Sequence, residues 1–200
     1  MTAPATITAP RQRAIPDSLV YEVMDGQKIY YRNYKQVLNY KAKKQDIMGY
    51  GALQWMLLSI ITDFFKQTLH KKLYQVWGGE GGIHLGHNDN LSLDLIIFET
   101  SQIDLSNLKN KYIDFPPKCV IEVDTKAQIE VANDINYYTK KTKKLLAFGV
   151  TEVIWIFTET RTLWVAKPNT AWLILDWTAE ITVMNQPLCI ENLMIENGIS

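Results

Sequence analysis

Two hundred residues, 47% of them hydrophobic, are enough for one well-filled domain and too few for two comfortable ones. Twenty-one lysines and arginines balance 21 aspartates and glutamates, so the average surface has no nucleic-acid or membrane preference, and any such contact must come from local patches. Cys119 and Cys189 lie in apolar surroundings without CxxC or CxxH spacing, which argues against a structural zinc and for free thiols in a reducing cytoplasm.

The first ten residues carry prolines at positions 4 and 10 and lack a charged head followed by an apolar core. Residues 1–16 therefore read as a flexible tail and 17–200 as a single domain. No run approaches the length of a membrane span, so a soluble cytoplasmic protein with no membrane partner is expected. Leu19–Met24 and Lys28–Tyr31 flank Asp25-Gly26, a strong turn signal, and predict a hairpin. From Tyr50 to His70, Leu53, Met56, Leu57, Ile60, Ile61, Phe64 and Leu69 recur at helical spacing, giving an amphipathic helix. A short strand, Leu73–Trp77, leads into Gly78-Gly79-Glu80-Gly81-Gly82. That stretch is neither a phosphate loop nor a dinucleotide fingerprint, and reads as a hairpin or flexible flap. Two central strands follow, Leu91–Phe98 and Cys119–Val123, then a helix from about Ala127 to Phe148 that stops at Gly149. Strands Glu152–Phe157, Thr162–Ala166 and Ala171–Trp177 and a short closing segment, Pro187–Glu196, complete the chain.

The most informative stretch is Leu91–Lys126. Asp94 sits inside Leu-Ser-Leu-Asp-Leu-Ile-Ile-Phe, and Glu122 inside Cys-Val-Ile-Glu-Val-Asp. A carboxylate in the middle of a buried strand is costly unless a metal, a proton or a cation compensates it. Two such strands in succession point to a divalent-metal site built across neighbours. The strand pleat puts Glu122 and Asp124 on the same face while Val123 faces the other way. Three carboxylates on one sheet edge can hold Mg²⁺ or Mn²⁺ for phosphodiester hydrolysis. A lysine on the next helix would position the attacking water or stabilise charge on phosphate. At about 100° per residue, Val131, Ile135, Tyr138, Thr142, Leu145 and Leu146 form the inward stripe. Lys141 lies at its border, with Asp134 two turns earlier, while Lys140 and Lys144 project nearly opposite.

These residues resemble a known family. Tyr21-Glu22-Val-Met-Asp25-Gly26, the strand acid Asp94 and Pro117-Lys-Cys-Val-Ile-Glu122-Val123-Asp124-Thr125 are followed by Lys141, Gly149-Val150-Thr-Glu152-Val-Ile-Trp155-Ile and Pro187-Leu-Cys-Ile-Glu-Asn-Leu. As an ordered set they look like the Uma-type restriction endonucleases, a branch of the PD-(D/E)XK nuclease superfamily. The resemblance implies an α/β restriction-endonuclease-like core, a mixed central β-sheet flanked by helices, with DNA as partner and Mg²⁺ or Mn²⁺ held by Asp94 and Glu122. It also implies a catalytic lysine moved onto the helix, matching Lys141. Leu93 stands where the family usually has proline, and Thr125 where serine is common.

Other readings compete with each site residue. Asp94 could cap a loop, and Asp124 could cap the helix starting near Ala127. Lys141 could snorkel to water. Glu22, on an early strand, is a possible accessory metal ligand or an exposed hairpin residue. Lys140, Lys143 and Lys144 form a solvated face that could also grip phosphates. His84-x-x-His87 with Glu80 and Asp89 is a second metal candidate, on a loop that does not hold both imidazoles on one rigid face. Trp164, Trp172 and Trp177 cluster on late strands and point to a homodimer surface. The sequence thus supports a metal-dependent endodeoxyribonuclease, with catalytic Asp94, Glu122, Asp124 and Lys141. The alternative is a catalytically inactive binding or assembly module of the same fold.

Overall fold

The hairpin read across Asp25-Gly26 forms as strands β1 (Val20–Met24) and β2 (Gln27–Tyr30), with Asp25 and Gly26 both at positive φ. The structure, a computed structural model, describes residues 14–104, 106, 108–124 and 134–199. Most of the expected tail, Thr125 and the expected start of the second long helix lie outside the described residues. Two short helices that the sequence reading did not anticipate, α1 (Tyr34–Leu38) and α2 (Gln45–Met48), lead into α3 (Ala52–Thr68). Neither short helix has a fully buried residue, so no apolar period marks them in the sequence.

The glycine-rich stretch is not a flap. It lies within a long strand, β3 (Tyr74–Gly86), paired antiparallel with β4 (Asp89–Glu99) and interrupted by a register shift between Gly78 and Gly81. Glycine is required there by close approach: a Cβ at Gly82 would lie 2.6 Å from the Tyr112 ring, and one at Gly78 would lie 2.7 Å from Thr62 Oγ1. The chain continues through β5 (Cys119–Val123), α4 (Asp134–Phe148), β6 (Glu152–Phe157), β7 (Thr162–Ala166) and β8 (Leu173–Asp176). It closes with a small hairpin, β9 (Ile181–Val183) and β10 (Gln186–Leu188), and α5 (Ile190–Glu196).

Eight strands form one sheet, in the order β2-β1-β4-β5-β6-β7-β8 with β3 paired to β4. Pairing is antiparallel except between β5 and β6, whose parallel register sets Glu122 beside Trp155. The α4 crossover supplies that one parallel connection. Side-chain alternation then divides the core. One face of the central strands (Leu95, Ile97, Ile121, Val123, Ile154, Ile156) packs with α3 and α5. The other (Ile96, Phe98, Val120, Val153, Trp155) packs with Tyr137 and Leu145 of α4. Each such aliphatic side chain contributes about 1.5–3 kcal/mol on full burial. Trp177 is buried in the first layer while Trp164 and Trp172 border the second, so the three do not share the single surface expected of them.

Candidate active site

All five residues of β5 are buried, and Glu122 lies on the α4 side of the sheet. The antiparallel register pairs Leu95 with Ile121; continued by one residue, it sets Asp94 opposite Glu122. Two like charges directly opposite across strands repel, so each needs a compensating donor. Asp94 finds two. Its Oδ2 accepts the backbone N–H of Val123 at 2.9 Å, and its Oδ1 accepts the Tyr50 hydroxyl at 3.2 Å. Asp94 is thus not a loop cap; it is 2% exposed in mid-strand.

The compensating cation is Lys141. Helix α4 is rotated slightly from the phase read in the sequence: Tyr137, Lys141 and Leu145, four residues apart, form the centre of the buried stripe, and Lys141 is 0% exposed. Its ammonium donates to the Ser92 carbonyl at 2.7 Å and stands 3.2 Å from Glu22 Oε2 and 3.3 Å from Glu122 Oε1. Glu22 belongs to the cluster rather than to a solvated hairpin. It is 3% exposed, and accepts the Tyr137 hydroxyl at 2.6 Å and the Ser92 N–H at 3.3 Å. The neighbouring Thr142 accepts the indole N–H of Trp155 at 2.8 Å, which pins the helix phase. The side chain of Asp134, expected on the same border, is outside the described residues.

Three carboxylates therefore share the neighbourhood of one ammonium. Burial pushes the Glu122 carboxyl well above the usual carboxylate range; Lys141 opposes this, while Asp94 and Glu22 add to it. Burial by itself would pull the Lys141 ammonium down, but Glu122 and Glu22 outweigh it and hold its pKa above the ordinary lysine value. Glu122 Oε1 remains exceptional. Although Lys141 stands at ion-pair distance, this buried oxygen has no aligned hydrogen-bond donor among the described residues.

Asp124 departs from the expected arrangement. The strand ends at Val123 and Asp124 turns into the left-handed region, φ 52°, so the pleat alternation does not carry its carboxylate onto the face of Glu122. Its oxygens instead accept the backbone N–H of Thr158 at 2.9 Å and the Thr158 hydroxyl at 2.5 Å. Beside it, the Gln54 amide on α3 donates to the Val123 carbonyl. Gln54, Asp124 and Thr158 line an open cavity of about 370 Å³, together with Arg32, Asp46 and Gly51. Lys140 and Lys144 are not a free phosphate-gripping face either. Both pair with Asp25, and Lys144 also holds Asp89 at 2.5 Å. That pairing removes Asp89 from the histidine candidate, whose His84 Nδ1 lies 2.6 Å from the Asn90 side-chain oxygen.

Among the described residues, no three His, Cys, Asp or Glu side chains are spaced to ligate one ion as they stand. By donor chemistry, however, the cluster suits a hard divalent cation: its acidic groups are oxygen donors, and Glu122 Oε1 is a buried acceptor lacking a donor. Sequence reading missed Tyr50, Gln54, Tyr137 and the Ser92 carbonyl. Only Tyr137 left a usable signal, its four-residue spacing from Lys141.

No family model matches the chain, and no curated protein matches it. Among solved structures it is similar to "a putative nuclease belonging to DUF820" from Anabaena variabilis ATCC 29413, with a TM-score of 0.62 and 18% identity over 87% of this chain and 89% of that one. At this identity the likeness establishes the shared fold. The expected α/β core, a mixed sheet flanked by helices, is the fold of this chain. No helix among the described residues is long and apolar enough to cross a membrane.

Proposed function

We propose that the chain is a metal-dependent endonuclease of the Uma-type branch, hydrolysing DNA phosphodiester bonds at the Asp94–Glu122–Lys141 cluster. The observation that carries this reading is a fully buried lysine from the following helix standing at ion-pair distance from mid-strand Glu122, with buried Asp94 opposite Glu122 on the neighbouring strand. Asp94 and Glu122 would hold Mg²⁺ or Mn²⁺, with Glu22 as accessory ligand and Asp124 assisting from the strand end. A bound ion would lower the pKa of a water and neutralise charge on the phosphate. In the metal-free site Lys141 keeps its proton, because its carboxylate neighbours hold its pKa high. It serves as a charge and hydrogen-bond donor toward water or phosphate, not as a base. Tyr50 and the Val123 N–H fix the orientation of Asp94. A homodimer belongs to the same proposal, with edge strand β8, which exposes Leu173 and Ile174, as the pairing surface.

A second reading is favoured by one specific observation. Lys141 already has an acceptor or counter-charge on three sides and is closed to solvent. A module retained for binding or assembly needs no more than that. The two readings differ in their response to metal. In the nuclease, Mn²⁺ relieves repulsion among Asp94, Glu122 and Glu22 and binds the folded state alone, stabilising it by about 2.7 kcal/mol at one hundred times Kd. Thermal melts should then shift upward by several degrees in millimolar Mn²⁺, with no shift in Asp94→Asn. An unchanged midpoint in the parent would leave the assembly module standing.

A further inference from the structure

The chain is electrically balanced as a whole but not along its length. Residues 32–44 contain Arg32, Lys35, Lys41, Lys43 and Lys44 and no acid, so the remainder of the chain is net acidic. Four of the five cations are exposed and Lys44 is half-buried. None has a salt-bridge partner among the described residues, whereas Lys28, Lys111, Lys118, Lys140, Lys144, Arg161 and Lys167 each have at least one. The segment is a turn-rich stretch between β2 and α2, carrying α1, with Asn33 and Tyr40 at φ 67° and 57°. Its helix, α1, contributes no fully buried side chain to the core.

Its position gives this unpaired charge a use. Through α2 the segment leads to Tyr50, which holds Asp94, and to Gln54, which holds the Val123 carbonyl. Arg32 lines the same cavity as Gln54, Asp124 and Thr158, at the end of the strand that carries Glu122. We infer that residues 32–44 form a phosphate-binding clamp that lays the backbone of a nucleic-acid duplex across this cavity mouth. The inference rests on the nuclease reading for the choice of DNA as partner, and adds the surface that holds it. The alternative polyanion, an anionic lipid surface, is disfavoured because Arg32 borders a cavity at the sheet end instead of an exposed apolar helix face.

Each phosphate-neutralising cation steepens the salt dependence of duplex binding by about 0.9 in log K against log salt. The 200-residue chain, in EDTA so that no cleavage is involved, should be titrated with a fluorescent duplex at several salt concentrations. Lys41→Gln/Lys43→Gln should reduce the slope by about 2 and weaken binding. The matched control, Lys71→Gln/Lys72→Gln, also removes two exposed charges, beyond the opposite end of the 17-residue α3, a helix about 25 Å long. It should leave the slope unchanged. Equal losses in both double variants, or none in either, would overturn the clamp. So would binding to phosphatidylserine vesicles that is lost in Lys41→Gln/Lys43→Gln while duplex binding persists. Because turnover is not measured, loss of the clamp would leave the nuclease reading intact, and a clamp without metal-dependent cleavage would reject only that reading.

Discussion

Replacing Lys141 by methionine should destabilise the fold by about 3–5 kcal/mol at neutral pH, because it leaves Glu22 and Glu122 buried without their cation. Methionine retains most of the length and volume of the stem, so a packing defect contributes little. The loss should depend on pH in a definite sense. Lys141 opposes the upward shift of Glu122, so removing it raises that carboxyl further. A folded-state carboxyl above its unfolded value binds more protons than the unfolded chain does. Its stability contribution is complete below the unfolded value and is lost as pH rises through the folded one. Lys141→Met should therefore lie nearer the parent at pH 4.5 than at pH 8. Lys140→Met, which breaks only an exposed pair with Asp25, should change stability by less than about 1 kcal/mol. Denaturant unfolding at the two pH values would check this. A small, pH-independent change in Lys141→Met would show that the ammonium does not neutralise the cluster.

Glu122→Gln should act in the opposite direction. In the parent, burial and the charges of Asp94 and Glu22 raise the Glu122 carboxyl despite Lys141, so ionising it costs folding free energy as pH rises above its unfolded value. Glutamine never ionises, and the cation keeps Glu22 and the Ser92 carbonyl as partners. The metal-free variant should match the parent near pH 4 and exceed it by pH 8, by about 1.4 kcal/mol for every tenfold by which folding weakens the acidity of the Glu122 carboxyl. The same change should abolish the Mn²⁺ response. A variant less stable than the parent at pH 8 in EDTA would mean that the Lys141–Glu122 attraction dominates and that the site is not strained when metal-free.

The strands that position the site were legible because they are short apolar runs ended by turn residues: β5, β6 and β7 occupy the bounds that the sequence suggested. Asp94 and Glu122 were legible for a related reason, since charges inside apolar runs stand out, and Lys141 through its place at the border of the apolar stripe of α4. Asp124 was misplaced because alternation was carried one residue past the strand, where a left-handed turn redirects the side chain to Thr158. β3 was hidden because four glycines carry no side-chain period, although the backbone pairs through most of them. Glu22 gained its partners from residues about 70 and 115 positions away in sequence, and no local pattern encodes such contacts. Tyr50 and Gln54 were read only as helix residues, because their roles lie in hydrogen bonds to other strands.

The most direct measurement is conversion of supercoiled plasmid to nicked circle by the purified protein in millimolar Mn²⁺ or Mg²⁺. Asp94→Asn should be assayed in parallel, since it preserves the shape of the side chain while removing its charge. A metal-dependent nuclease centred on Asp94 and Glu122 should nick the plasmid, stop in EDTA, and lose at least two orders of magnitude of activity in Asp94→Asn. A parent that never nicks DNA, or an Asp94→Asn variant that nicks as fast as the parent, would contradict that assignment.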